Sequence, residues 1–276
     1  MSDKYINYNN CNICYRKTGR GPYAVLIHGF GEDGNIWKYQ EAFLQNHYTL
    51  IIPDIPGSGK SVVMDQGDIK DAKLIETYAD IIKKIIDIEL VETCAVIGHS
   101  MGGYIALAFA EKFPEKLSSL GLFHSTAYAD STEKKDARRK GVAFIQKHGA
   151  HEFLKQSIPN LFGDAFKQSH PGQIEQLIEA SGNFSKEALV QYYKAMMERP
   201  DRIDILKKVS KPVLFIIGED DKSVYLQDSL SQCYLPGKSL INIYPDIAHM
   251  GMWEAKDQAN ATVMKFLNYS SDAVCS

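Results

Sequence analysis

Thr93-Cys94-Ala95-Val96-Ile97-Gly98-His99-Ser100-Met101-Gly102-Gly103-Tyr104, running on through Ile105-Ala106-Leu107-Ala108-Phe109-Ala110 to Phe113, is the stretch that decides the fold. Its first part is a short apolar run bounded by Gly98, which suits a buried strand. Its last part is rich in Ala, Leu and Phe, good helix formers, and stops before Pro114. Between the two sits one serine with a glycine two residues before it and another two residues after. A strand-to-helix turn that sharp leaves no room for a Cβ at Gly98 or Gly102, and it holds Ser100 Oγ out at the strand tip. The N-terminal amides of the helix point at the same place, so Met101 N–H is a candidate donor to a developing oxyanion. A glycine-rich turn with an incidental serine would read the same way, and the residues found elsewhere decide between them.

Working outward toward the N-terminus, Tyr23-Ala24-Val25-Leu26-Ile27 reads as a buried strand that ends in His28-Gly29-Phe30-Gly31. A strand running into a glycine-containing loop exposes free amides, and Phe30 N–H is the candidate second oxyanion donor. His28 reads as a residue that fixes the loop. Trp37 opens a helical stretch to Gln45. Tyr5–Arg16 reads as a polar hairpin turning at Asn9-Asn10, and Cys11-x-x-Cys14 within it as two unpaired thiols on a strand. Gly59-Lys60-Ser61 imitates the tail of a phosphate-binding loop. The glycine that the motif needs five residues earlier is Asp54, and two prolines stiffen the loop, so a nucleotide site is rejected. From Asp68 to Glu89, apolar residues at helical spacing predict a long amphipathic helix.

Toward the C-terminus, Leu117–Phe123 is the next strand. From about residue 127 to 209 no buried strand is legible. Helical pieces over Ser131–His148, Ala150–Ser157, Gln173–Ala180 and Lys186–Arg199 predict a helical insertion, with 1–126 and 210–276 forming the core. Glu133 to Lys140 is a mixed charge run that reads as a solvated helix face. The core resumes with Pro212–Ile217, ending at Gly218-Glu219-Asp220-Asp221. A helix over Leu226–Cys233 follows, then a last strand over Ser239–Tyr244 running into Pro245-Asp246-Ile247-Ala248-His249, and a closing helix over Trp253–Leu267.

Serine is a poor nucleophile until a base takes its proton, and a histidine steadied by a carboxylate is such a base. Here the serine, the carboxylates and the histidine each follow a strand, in the chain order Ser…Asp…His. A chain of 276 residues with net charge −3 is long enough for one large α/β core and has no general attraction for nucleic acid or anionic membrane. Five scattered cysteines argue against a disulfide framework, and no apolar run reaches membrane-spanning length. The expectation is a cytoplasmic protein without membrane insertion, signal peptide, cofactor or metal.

On His28-Gly29-Phe30, Asp54-Ile55-Pro56-Gly57-Ser58-Gly59-Lys60-Ser61, Gly98-His99-Ser100-Met101-Gly102-Gly103, Gly218-Glu219-Asp220-Asp221 and Ala248-His249, the chain resembles the α/β-hydrolase superfamily over nearly its full length. Within it the chain resembles the capped, esterase-like branch, including carboxylesterases of the pimeloyl-carrier-protein methyl esterase type. The resemblance implies a mostly parallel eight-stranded sheet flanked by helices with a helical cap, the triad Ser100, Asp221 and His249, and an oxyanion hole at Phe30 and Met101. The pattern Gly-x-x-Asp selects Asp221 over Asp220. Substrate-binding residues are expected at Gly29, His99, His124, Trp37, Phe144, Tyr192 and Met196. The implied reaction is hydrolysis of a small-molecule carboxylic ester with a small or medium apolar acyl group, through an acyl-enzyme. Alternatives on the same triad are carbon–carbon bond hydrolysis, a cofactor-free lyase or a ligand-binding signalling protein. An acidic carrier protein would be a partner only if the Lys134–Lys140 run faced the entrance.

Overall fold

A computed structural model describes residues 3–65 and 73–275, the side chains beyond residue 270 excepted. Eight strands form one sheet in the order β1-β2-β4-β3-β5-β6-β7-β8. They are β1 (Asp3–Tyr8), β2 (Cys11–Gly19), β3 (Tyr23–Ile27), β4 (Thr49–Pro53), β5 (Cys94–His99), β6 (Leu117–Phe123), β7 (Val213–Gly218) and β8 (Ser239–Tyr244). The hairpin β1–β2 and the pair β2–β4 are antiparallel, and every other pairing is parallel. Strands β3, β4, β5 and β7 are buried along nearly their whole length, which is why they read as continuous apolar runs rather than alternating ones.

The order places the site. From β3 the chain crosses to β4 on one side and returns to β5 on the other, so the C-terminal ends of β3 and β5 flank the point where the winding reverses. Open α/β sheets present a crevice there. Around the sheet, α1 (Lys38–Leu44) packs with the C-terminal helix Lys256–Cys275, and α2 (Leu74–Ile88) packs with α3 (Met101–Lys112). The helix expected from Asp68 is seen from Leu74, and the positions 68–72 lie outside the described residues.

Between β6 and β7 the described residues form helices α4 (Thr132–His148), α5 (Ala150–Ser157), α6 (Asp164–Ser169), α7 (Pro171–Ala180), α8 (Lys186–Glu198) and α9 (Ile203–Lys208). Ser131 and Ser185 cap α4 and α8 by accepting from the third amide onward, Lys134 N–H and Ala188 N–H. Near the end of the insertion drawn over 127–209, α9 packs on α3 of the core, as α8 packs on α2. The helix expected over Leu226–Cys233 stops at Leu230. Beyond it Gln232 is buried and its Oε1 accepts from Ala127 N–H at 2.7 Å, tying down the entry to the insertion. Among the described residues no helix is long and apolar enough to cross a membrane.

Candidate active site

Ser100 sits between β5 and α3 with φ +51° and ψ −116°, a strained conformation for a residue with a side chain. The flanking glycines permit it. A Cβ on Gly98 would lie 2.1 Å from the carbonyl of Gly102, and one on Gly102 would lie 2.3 Å from the Ile27 carbonyl oxygen. Strand β3, the elbow and the first turn of α3 therefore approach closer than any alanine allows. Gly29 brings the β3 loop alongside, where an added Cβ would be 3.1 Å from Ser100 Cβ. Neither Phe30 N–H nor Met101 N–H has an acceptor among the described residues, so both donors remain available. Gly29 N–H is taken by Glu32 Oε2 at 2.6 Å.

Asp221 and His249 come from the loops after β7 and β8. His249 Nδ1 donates to Asp221 Oδ2 at 2.7 Å, which leaves Nε2 as the basic nitrogen. The other carboxylate oxygen accepts from Ser223 N–H at 2.8 Å and Val224 N–H at 3.0 Å. Burial alone would raise Asp221, but the charge of His249 and hydrogen bonds from His124 and His249 hold it well below the usual carboxylate range. For His249, burial opposes the imidazolium, and the Asp221 charge and hydrogen bond outweigh it, raising the group above an ordinary imidazole. Ser100 and His249 both open onto one cavity, and Oγ makes no hydrogen bond to a described residue.

The His249 loop is held from two sides. His249 N–H donates to Leu161 O, a residue of the insertion, at 2.9 Å. Glu254 accepts from Gly163 N–H at 2.7 Å and from Met250 N–H at 3.1 Å. The His99 ring spans Glu32 Oε2 at 2.9 Å and the His249 carbonyl at 3.0 Å. His28 fixes the β3 loop by bonding Gly29 O at 2.9 Å and Ile55 N–H at 2.9 Å.

A cavity of about 320 Å³ opens in front of Ser100. It is mainly apolar, with Phe30, Phe153, Leu154, Leu161, Tyr193 and Trp253 in its walls. Of the residues expected to bind substrate, Met196 lines it, and Gly29 lies beside the serine without lining it. The others need correction. Trp37 is fully buried and packs edge-on against His99 and Phe123. Tyr192 is fully buried and its hydroxyl donates to the backbone of the proline loop, at 2.8 Å to Pro56 O. Phe144 packs on His148 and Phe153 behind the wall. His99 is a strut of the His249 loop.

His124 lies behind Asp221 rather than in the cavity. Its Nδ1 is 3.2 Å from Asp221 Oδ2 and equally 3.2 Å from Gly218 N, and it cannot donate to one and accept from the other at once. Nε2 accepts from Gly251 N–H at 3.2 Å, so the single proton of the neutral ring is on Nδ1 and goes to Asp221. Burial pushes His124 down to about 4, which keeps it neutral. Asp221 therefore has two histidine donors on one oxygen. The ligand-capable atoms of His124, Asp221 and His249 lie within 4.8 Å of one another, and the carboxylate and imidazole atoms involved are engaged with each other and with the backbone.

Sequence reading missed Glu32, Tyr104 and Arg138 at this site, and among the aromatics of the insertion it singled out Phe144 and Tyr192 where Phe153 and Tyr193 line the cavity. For Arg138 a signal existed. It shares the helical stripe of Val142 and Ile145, four and seven residues on, and Ile145 is fully buried.

Comparison with known proteins agrees with this architecture. Residues 25–140 match the family described as alpha/beta hydrolase fold. The chain is 26% identical to a 2-hydroxy-6-oxo-6-phenylhexa-2,4-dienoate hydrolase of Comamonas testosteroni, over 97% of this chain and 92% of that one. It is 25% identical to a 2-hydroxy-6-oxononadienedioate/2-hydroxy-6-oxononatrienedioate hydrolase of Burkholderia vietnamiensis, over 96% of each. Among solved structures, a thermophilic esterase from Thermogutta terrifontis superposes with a TM-score of 0.89 at 26% identity, covering 98% of this chain and 99% of that one.

Proposed function

From the premise that this chain belongs to the α/β-hydrolase superfamily and is a hydrolase of that fold, we propose that it cleaves a carboxylic ester of small or medium acyl size through an acyl-enzyme. The observation that carries the reading is that His249, hydrogen-bonded to Asp221, shares a cavity with a strained Ser100. His249 Nε2 takes the Ser100 proton as Oγ attacks the ester carbonyl. The oxyanion is received by Phe30 N–H and Met101 N–H. On collapse, the proton passes from His249 to the leaving alkoxide, and the acyl group stays on Oγ. A water activated by the same imidazole then releases the acid and restores the serine. Each oxyanion donor contributes on the order of 10²–10³ in rate in such sites.

A second reading is favoured by the names of the curated relatives. Their 6-oxo-dienoate substrates contain a ketone and no ester, so a hydrolase acting on them breaks a carbon–carbon bond. The two readings separate in one experiment. Turnover of p-nitrophenyl butyrate and of 2-hydroxy-6-oxo-6-phenylhexa-2,4-dienoate is measured for the wild type and for Ser100→Ala. The ester reading expects faster turnover of the ester, lost in the variant. Turnover of the dienoate alone would replace it by the second reading.

A further inference from the structure

We propose that the cavity in front of Ser100 takes an acyl group ending in a carboxylate, and that Arg138 is the residue that binds this anion. The proposal rests on the ester-hydrolase reading for the bond that is cleaved, and it adds the chemistry of the acyl chain.

The observation behind it is a charge imbalance. Asp130, whose side chain is fully enclosed, is shared by two guanidiniums. Arg138 approaches it through Nε at 2.5 Å and Nη2 at 3.3 Å, and Arg199 through Nη1 at 2.8 Å. One carboxylate balances one of the two cations, so a positive charge is left over at this pair, in which the Arg138 side chain is 20% exposed and that of Arg199 3%. Arg199 is engaged elsewhere as well. It also donates to Met196 O at 2.6 Å and to Tyr128 O at 2.8 Å, and it lies 3.8 Å over the Tyr104 ring. Arg138 is the one of the pair that lines the cavity, and its Nη1 has no acceptor among the described residues. An unbalanced guanidinium facing apolar walls is costly unless an anion pairs with it.

The other charged groups in the cavity wall do not answer it. Glu32 is engaged by His99 and Gly29 N–H, Asp33 accepts from Asn35 N–H, and the Lys38 ammonium sits 4.0 Å over Trp253. Two neutral donors stand beside Arg138 instead. Tyr104 and Tyr193 line the cavity, and their hydroxyls have no hydrogen-bond partner among the described residues. Burial keeps the Tyr193 phenol protonated, pushed up to about 12. A guanidinium with two phenol donors is a fitting cradle for both oxygens of a carboxylate.

The spacing fits a short acyl chain. Tyr104 is four residues on from Ser100, just over one helical turn or about 6 Å along α3. On the opposite wall Tyr193 stacks on Phe30 at 4.3 Å between centroids and carries the Arg138 Cζ at 5.5 Å. One ring thus separates the oxyanion loop from the cation.

The test compares p-nitrophenyl hydrogen adipate with p-nitrophenyl hexanoate, which have the same acyl length with and without the terminal charge. The wild type is expected to prefer the adipate half-ester in kcat/KM by roughly ten- to hundredfold, mainly through KM, as for a hydrogen bond to a charged group. Arg138→Gln leaves Asp130 paired with Arg199, and it should collapse that ratio by at least about tenfold. Arg138→Lys should keep part of it, and Arg139→Gln on the exposed face of α4 should keep all of it. Using the ratio cancels any general loss of folding or turnover. A wild type that prefers hexanoate, or a ratio unchanged in Arg138→Gln, overturns the proposal. If neither ester is turned over, the ester reading fails alone, and the anion site is read from binding. Adipate should then raise the wild-type melting temperature and not that of Arg138→Gln, whereas equal shifts or none would overturn it.

Discussion

At the scale of single residues, the chemistry turns on how Asp221 shares its charge. His249 is raised by that carboxylate against the effect of its own burial. A base must be neutral to act, and a raised group stays protonated to higher pH. The acid limb of kcat/KM should therefore have its midpoint above the ordinary imidazole value of about 6.5. Asp221→Asn removes the charge that raises it, so the midpoint should fall along with the rate, as read from pH–rate profiles of the two enzymes. Ser100, Asp221 and His249 were picked out because each follows a strand in the order that the fold demands, and the structure bonds His249 to Asp221 and opens Ser100 and His249 onto one cavity. Where buried side chains point was not. His124 and His99 read as site residues, and they turned out to brace Asp221 and the His249 loop, since a residue's type does not say which way a strand end directs it. Arg138 was hidden for a related reason. In a run of lysines and arginines only its place on the apolar stripe with Ile145 distinguishes the inward cation from its solvated neighbours Arg139 and Lys140.

At the scale of elements, the junction of β5 with α3 carries the tightest packing constraint. The Ile27 and His28 carbonyl oxygens would lie 2.3 Å and 2.7 Å from a Cβ at residue 102, and both are backbone atoms that no side-chain rotation can move. Gly102→Ala should therefore cost at least about 3 kcal/mol, the upper part of the overpacking range, measured by urea denaturation. The long elements of the insertion were legible from periodicity, and Ala150–Ser157 has the bounds that its pattern predicts. The six-residue helices Asp164–Ser169 and Ile203–Lys208 were not, because fewer than two turns show no period and each has a single buried residue, Phe166 or Leu206. The helix from Leu226 was read three residues too long, since a buried glutamine that bonds a distant backbone looks the same in sequence as a helical one.

At the scale of the whole molecule, the antiparallel edge is fastened to the parallel core through one carboxylate. Glu89, at the end of α2, accepts from Lys4 at 2.6 Å, Lys17 at 2.8 Å and Tyr15 at 2.6 Å. Burial would raise it, and these donors outweigh burial, lowering it from 4.5 to about 2. A depressed carboxylate stabilises the fold above its unfolded value and loses that contribution as pH falls toward its folded one. Glu89→Gln should thus be less stable than the wild type at pH 6, and the gap should close between about pH 4.5 and 2, as read from urea midpoints across that range. The layered α/β plan could be read from sequence, because apolar runs and amphipathic helices alternate along the chain. The reversal of winding between β3 and β5 could not, because pairing partners leave no mark in one sequence.

The bond from the His249 amide to Leu161, with Glu254 reaching Gly163 beside it, gives the roof one corner that is bolted to the proton acceptor. Tilting the roof about any other edge leaves the imidazole seated, and lifting this corner unseats it. Guests that arrive past the remaining helices meet a base already in place, and a doorway at Leu161 would disarm the enzyme each time it opened.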